Sequence, residues 1–594
     1  MTPASLFSKL IVWALTLSIA FIYIFVNFKG LTTADGMEKS QLAREVSRGA
    51  YKTKIIRPIA MHQYSKKHDR PGFLKEVASA DSYNSPLYPL ILGGVFKLID
   101  AGSYEKWKMN DSESVYKLDR VVCGMSVLFF LLSAIMASQL ARKMFDETIA
   151  GFTFILLVSC ELFWKLAQTG MPNCLMLLLF TTATYCLYIA TDHSNSSDKN
   201  GFVYGSIAGI LLVLLCMCHW MGLWLLLGFL IYSFFFIRPM GGVSATTLVV
   251  ALAAFAFPVN QNLTQTGNPF GTAFFSLYTG LGLSDEVIMR AGDSGDVYIA
   301  FRDLAFNFLK NAFRQISVGY EYAGYVVVIP FFFLSVIHYF RNPTVNTFRW
   351  GVLILWFCAV LGMSVYGLGD DAMHSNQLHY LFTPIMIAYG LSIIAIFWKR
   401  LPLSNSLDGV WEKSHFYLIA LIACAPMVLA MPVDVIKGLR SKKIIPNWPP
   451  YFPSALNLSL NTIVPEESFI FSDQPWAVAW YADRNAIWTP NSFRTFQKMQ
   501  DEAASHRTPI AGVHVSPSSF GSKSFYRSYL ANRDLASVAL DGWASMITHS
   551  ELEAGDFAKK SKAGSQIMSS YPYPYPLTGG FMMYYAAERP RKRN

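Results

Sequence analysis

The residues with chemistry to offer crowd into one stretch, "FVNFKGLTTADGMEKSQLAREVSRGA", Phe25 to Ala50, and its continuation. An apolar run long enough to cross a bilayer closes at Phe28, and Asp35 follows on a loop of small residues. Between Lys39 and Arg70 the chain then carries nine cations, Lys39, Arg44, Arg48, Lys52, Lys54, Arg57, Lys66, Lys67 and Arg70, against only Glu45 and Asp69. Guanidinium forks and ammonium point charges both suit phosphate. A carboxylate at the lip of a membrane, backed by such a tract, reads as a candidate site for an anionic ligand. A solvated or headgroup-contacting basic face is the plain alternative. Asp35 has its own plain alternative as a helix N-cap, because "TTADGMEKSQLAREV" reads as a turn leading into a helix. Glu38 is expected to face water on the first turn of that helix.

These residues need elements to hold them, and composition says of what kind. Of 594 residues, 53% are hydrophobic, 15% aromatic and only 15% charged, whereas soluble domains carry about a quarter of charged residues. The chain belongs in a membrane. Runs of about 17 to 25 apolar residues are candidate spans. Eleven are read, near residues 9–28, 119–140, 148–165, 171–191, 201–218, 219–237, 243–258, 321–340, 350–368, 378–397 and 415–432. Lys and Arg favour cytoplasmic connections. With the N-terminus inside, Arg142, Lys143, Arg238, Arg341, Arg349, Lys399, Arg400 and Lys413 all fall in the cytoplasm. Residues 29–118, residues 259–320 and everything after 432 are then exported. The stretch "LYPLILGGVFKLID", residues 87–100, is too short to span and reads as a helix lying on the outer face. The first apolar run lacks a small-residue cleavage site, so it is expected to remain as a span. All eight cysteines lie in or beside spans, so no disulfide is expected to hold the exported parts together. Cys216, Cys218 and His219 come nearest to a metal-ligand group, but cysteine packs in helices as a small hydrophobe.

After about residue 433 polar residues return, Pro clusters in "IIPNWPPYFP", and short apolar stretches alternate with possible helices. That pattern predicts a small α/β domain over 433–594, following a transmembrane domain over 1–432. Trp476, Trp480, Tyr481 and Trp488 read as core packing, with stacking on sugar rings as the alternative. The Pro-Tyr repeat in "SSYPYPYPLTGGFMMYYAAERPRKRN" favours extended chain, and the basic end suits anionic headgroups. Nothing here resembles a nucleic-acid-binding module.

Several motifs stand in a telling order. An Asp follows the first span, "SPLYPLILGGVF" starts a short helix, "TGNPFG" follows the seventh span, "HYLFTP" opens the tenth, and "FSDQPWAVAWYADRNAIWTP" lies in the tail. Over most of the chain this order resembles the membrane glycosyltransferases with the GT-C fold, notably the bacterial branch of protein O-mannosyltransferases and aminoarabinose transferases. The resemblance implies a polytopic α-helical enzyme of the inner membrane. Such an enzyme takes a sugar from a polyprenyl-phosphate carrier and passes it, with inversion, to a protein, lipid or glycan acceptor at the exported face, alone or in a membrane complex.

The family's catalytic carboxylate matches Asp35. As a general base it accepts the proton of an acceptor hydroxyl, while nearby donors and cations stabilise the departing phosphate. On this reading Lys54, Arg57, His62, Lys66, Lys67, Arg70 and His379 are candidate ligands of the donor phosphate or sugar. In "AQTGMPNCLM" the chain departs from the pattern: Asn173 stands where members often carry an Asp, and an amide is neither a base nor a strong cation ligand. With no ligand cluster of recognisable spacing, no obligatory metal or other cofactor is expected. Asn173 also keeps a second reading open, a catalytically silent relative acting as a structural subunit. A transporter of a lipid-linked substrate is a third, although the internal repeats usual in transporters are not seen.

Overall fold

The computed structural model of the protein describes residues 3–69, 74–79, 81–196, 200–275, 285–292, 301–368, 373–402, 409–440, 451–516, 532–540, 561–577 and 582–589. Arg70 and the basic end 590–594 lie outside them. Among the described residues, eight helices are long and apolar enough to cross a membrane: Lys9–Val26, Lys117–Met144, Asn173–Asn195, Asn200–Cys218, Gly242–Thr266, Pro343–Tyr366, His379–Lys399 and Trp411–Lys437. The chain is a multi-pass membrane protein.

The expected eleven spans need correction in detail. Residues 148–165 are two helices, Glu147–Val158 and Glu161–Gln168, bent by 51° where Cys160 leaves the helical region. The run 219–237 forms helix only from Gly222 to Phe236, because His219–Met221 make a turn. The run 321–340 holds only the nine-residue helix Ile329–Ile337. Gly324 there takes φ +84, and a Cβ on it would collide with the Cys160 sulfur, so the chain turns instead of continuing. The expected loop 259–320 contains a separate helix, Phe301–Tyr322. Phe306, Leu309, Phe313 and Ile316 line its exposed side at helical spacing. On its inner side Gln315 donates to Ser364 at 2.9 Å.

The connections sort into two ends. At one end Lys9 pairs with Glu147 at 3.2 Å, Lys413 donates to Thr148 at 3.0 Å, and Thr344 donates to Asp192 at 2.8 Å. These contacts join connections that the Lys/Arg distribution leads one to expect on the cytoplasmic side. At the other end Thr33 donates to the Thr169 carbonyl at 2.8 Å, and the Thr272 amide donates to the Ser82 carbonyl at 2.9 Å.

At that second end lies a six-stranded sheet: β1 (Ile55–Ile56), β2 (Phe469–Ser472), β3 (Asn485–Trp488), β4 (Ile510–Val515), β5 (Tyr573–Pro576) and β6 (Met583–Ala586), in the order β1-β3-β2-β4-β6-β5. The first four are mutually parallel; β6 pairs antiparallel with β4 and β5. Parallel strands are buried on both faces, and the alternation along β2 shows how. Ile470 joins the core that is continuous with the helical bundle, while Phe469 and Phe471 face a second core with Phe496 and Met499 of helix Phe493–Ser505. Because β1 belongs to the first long connection, the α/β unit does not begin at residue 433. Trp480 and Tyr481 are fully buried and Trp488 nearly so, as core packing requires.

Candidate active site

Asp35 sits in the first turn of helix Ala34–Ser47. Its plain alternative as the N-cap is taken by Thr33, which is extended in backbone and accepts from the Gly36 amide at 3.1 Å. The carboxylate is therefore free of capping work, while the helix N-terminus still favours its charge. Gly36 lets the helix end press against the turn at Thr169–Gly170, since a Cβ there would collide with the Thr169 carbonyl oxygen. Asp35 thus lies where two connections far apart in sequence meet.

Around it opens a cleft of about 390 Å³ lined by Asp35, Lys39, Tyr83, Asn84, Ser85, Cys218, His219, Trp220, Ser375 and Asn376. The Lys39 ammonium, one helical turn on, is 3.6 Å from the Asp35 carboxylate. Burial works to raise the Asp35 pKa, but Lys39, then His219, His374 and Arg57, outweigh it and hold it below the ordinary aspartate range. His219 is pushed down to about 3 by burial and by Lys39, so it is neutral at physiological pH and can donate or accept a hydrogen bond. The cleft therefore offers an ionised carboxylate, a buried ammonium, an imidazole and several amides and hydroxyls around one space.

The basic tract divides. Lys39 lines the cleft, but most of the rest is neutralised within the protein. Arg57 makes a bidentate pair with Glu38 at 2.9 and 2.6 Å and stacks over the Tyr83 ring at 3.7 Å. Glu38, expected to face water, is buried instead, because Arg57 and the Asn84 amide, which donates at 2.7 Å, both reach it. Asp81 holds the same loop by accepting from the Tyr83 and Asn84 amides. Burial and the Glu38 charge push Asp81 up to about 6. This network sets the Tyr83–Ser85 wall of the cleft. Lys54 pairs with Asp483 at 2.5 Å, and Arg44 and Arg48 reach the same carboxylate at 3.0 and 2.8 Å. The positive charge of this connection is thus largely neutralised within it and by the tail.

Other expected ligands stand apart from the cleft lining. His62, Lys66 and Lys67 lie on helix Pro58–His68, whose exposed end meets the "TGNPFG" loop where Gly267 approaches Lys67. His379 is buried at the start of its span and accepts from the Trp356 indole at 3.3 Å. Asn173 opens helix Asn173–Asn195, three residues beyond the Gly170 turn, and its buried amide nitrogen lacks a hydrogen-bond partner among the described residues. No group of three or more metal-ligating side chains occurs among the described residues. Lys39 was counted only within the basic tract; its i+4 spacing to Asp35 is the signal that could have singled it out. His219 was noted only beside Cys216 and Cys218 as a weak metal-ligand group, and Trp220, Ser375 and Asn376 carried no local signal, because these residues come from separate connections.

No protein-family profile matches the sequence, and no curated protein matches it. Among solved structures, the oligosaccharyltransferase AglB of Archaeoglobus fulgidus, in complex with an inhibitory peptide and a dolichol-phosphate, is similar at a TM-score of 0.51 and 12% identity over 90% of this chain and 73% of that one. The apo oligosaccharyltransferase of the same organism gives 0.50 and 13% over 90% and 72%. Apo ArnT of Cupriavidus metallidurans gives 0.48 and 11% over 87% and 94%. The chain has the GT-C fold of membrane glycosyltransferases.

Proposed function

We propose that the protein is an inverting glycosyltransferase moving a sugar from a polyprenyl-phosphate carrier to an acceptor hydroxyl, with Asp35 as general base and the cleft end of the bundle facing outside the cell. The observation that carries this reading is an ionised carboxylate released from helix capping, set beside a buried ammonium in a cleft at one end of an apolar bundle. The acceptor is a protein, lipid or glycan. As its oxygen bonds to the anomeric carbon, its proton passes to Asp35, and the bond from that carbon to the phosphate oxygen breaks with its electron pair leaving on phosphate. Lys39 offsets the growing phosphate charge. The cleft's position supports a donor whose prenyl chain stays in hydrocarbon while its phosphate reaches the polar end. The dolichol-phosphate held by AglB, a protein of like fold, supports the same donor class.

The test uses the full chain in proteoliposomes with a panel of polyprenyl-phosphate-linked hexoses, reading release of polyprenyl phosphate. Asp35→Asn keeps size and fold and is expected to lower turnover by at least about 100-fold, the reach of a general base. Wild-type turnover in this variant removes the proposed base.

A further inference from the structure

A second carboxylate, outside the cleft lining, is tied to the backbone that carries Asp35. Asp119 lies in the first turn of helix Lys117–Met144 and is fully buried. Its Oδ1 accepts from the Trp480 indole at 2.7 Å, and its Oδ2 accepts from the Tyr481 hydroxyl at 2.9 Å and from the Leu31 amide at 3.5 Å. Gly30 brings that backbone in at φ +106, where a Cβ would meet the same oxygen at 3.4 Å. Leu31 stands two residues before the cap Thr33, and its side chain packs on Gly170, the turn that also seats Gly36.

The same tail segment grips the other end of the helix. Arg44 donates to the carbonyls of Ala479 and Trp480 at 2.7 and 2.9 Å and pairs with Asp483. Residues 479–483 therefore hold the stretch 31–44 on both sides of Asp35, once through Asp119 and once through Arg44.

We propose that Asp119, with Trp480 and Tyr481, is a positioning residue that fixes Asp35 in the cleft by anchoring Leu31 to the tail. The inference rests on the transferase reading for its catalytic meaning but not for its geometry. Both Asp119 oxygens accept from donors, so in Asp119→Asn the amide nitrogen faces a donor it cannot accept from, whichever way the amide is turned.

The test uses the purified full chain with Asp119→Asn, and Trp480→Phe and Tyr481→Phe as milder variants should the first fail to fold. The activity-free readout is the rate at which a water-soluble carbodiimide modifies Asp35, measured by peptide mass spectrometry against the exposed Glu147. The kinetic readout is kcat against KM for the polyprenyl-phosphate sugar. The expected result is a several-fold change in Asp35 labelling in every folded variant, with kcat falling by up to about 100-fold, the cost of a displacement near 1 Å, and KM unchanged. Labelling and kcat at wild-type values overturn the inference and leave the transferase reading intact. Altered labelling in a chain whose wild type transfers no sugar upholds the positioning and overturns the transferase reading.

Discussion

The pairing of Asp35 with Lys39 decides the pH behaviour of the site. Asp35 is held below its ordinary pKa chiefly by Lys39, against burial, with His219, His374 and Arg57 adding to the effect. A base must be ionised to accept a proton, so turnover is expected to stay flat from neutral to mildly acidic pH and to fall only below the ordinary aspartate value. Lys39→Met removes the largest charge opposing burial. Its acid limb should move to higher pH, read from kcat against pH; an unmoved limb with reduced turnover would mean that Lys39 acts on the ligand alone. Asp35 was singled out in the sequence because it follows an apolar run within a few residues, whereas Lys39 was counted only within the basic tract although its helical spacing to Asp35 could have marked it. Glu38 was misread as exposed, and its pairing with Arg57 was not foreseen. Nothing in their spacing shows that Asn84 and Tyr83, from another loop, close over them and turn an exposed turn into a buried network.

Helices place the residues, and their junctions decide the site. Thr33 caps helix Ala34–Ser47 and simultaneously donates to Thr169, so one hydroxyl fixes both the helix start and its docking. Gly36→Ala puts a methyl group into the Thr169 carbonyl, which forces the helix end away from the turn. Turnover is expected to fall with little loss of folded protein, checked by size-exclusion yield beside the transfer assay; full activity would show that this contact does not set the position of Asp35. Apolar runs revealed most spans, because hydrocarbon imposes the same demand on each. They failed where tertiary contact overrides length, as at Gly324, where close approach to Cys160 ends one helix and leaves Ile329–Ile337 to carry the path onward.

The bundle and the α/β unit are one packed body rather than two joined by a tether. β1 comes from the first connection, and Ile470, Trp480 and Tyr481 share the core of the bundle. Asp483 gathers Arg44, Arg48 and Lys54. Burial would raise its pKa, but Arg44, Lys54 and Arg48 outweigh that and hold it well below the ordinary range. A depressed carboxylate stabilises the fold above its unfolded pKa and loses that contribution as pH falls through the folded value. Asp483→Asn takes the shared carboxylate from three cations, leaving the fully buried Arg44 with backbone carbonyls alone and Arg48 and Lys54 with Glu45, and is expected to cost about 3–5 kcal/mol, seen as a lowered Tm in detergent. An unchanged Tm would show that the tail is held by its apolar contacts alone. Returning polarity and short apolar stretches marked strands in the tail, but not that β1 of the first connection joins their sheet, nor the partner of the basic tract, since Asp483 lies hundreds of residues away.

The central claim is that the cleft beside Asp35 receives the phosphate of a lipid-linked sugar donor. The direct measurement is an electron cryomicroscopy structure of the full chain in nanodiscs with a polyprenyl phosphate added. The account predicts phosphate density within hydrogen-bond reach of the Lys39 ammonium, with the prenyl chain running down the bundle. Phosphate bound elsewhere, with the cleft empty, would contradict it.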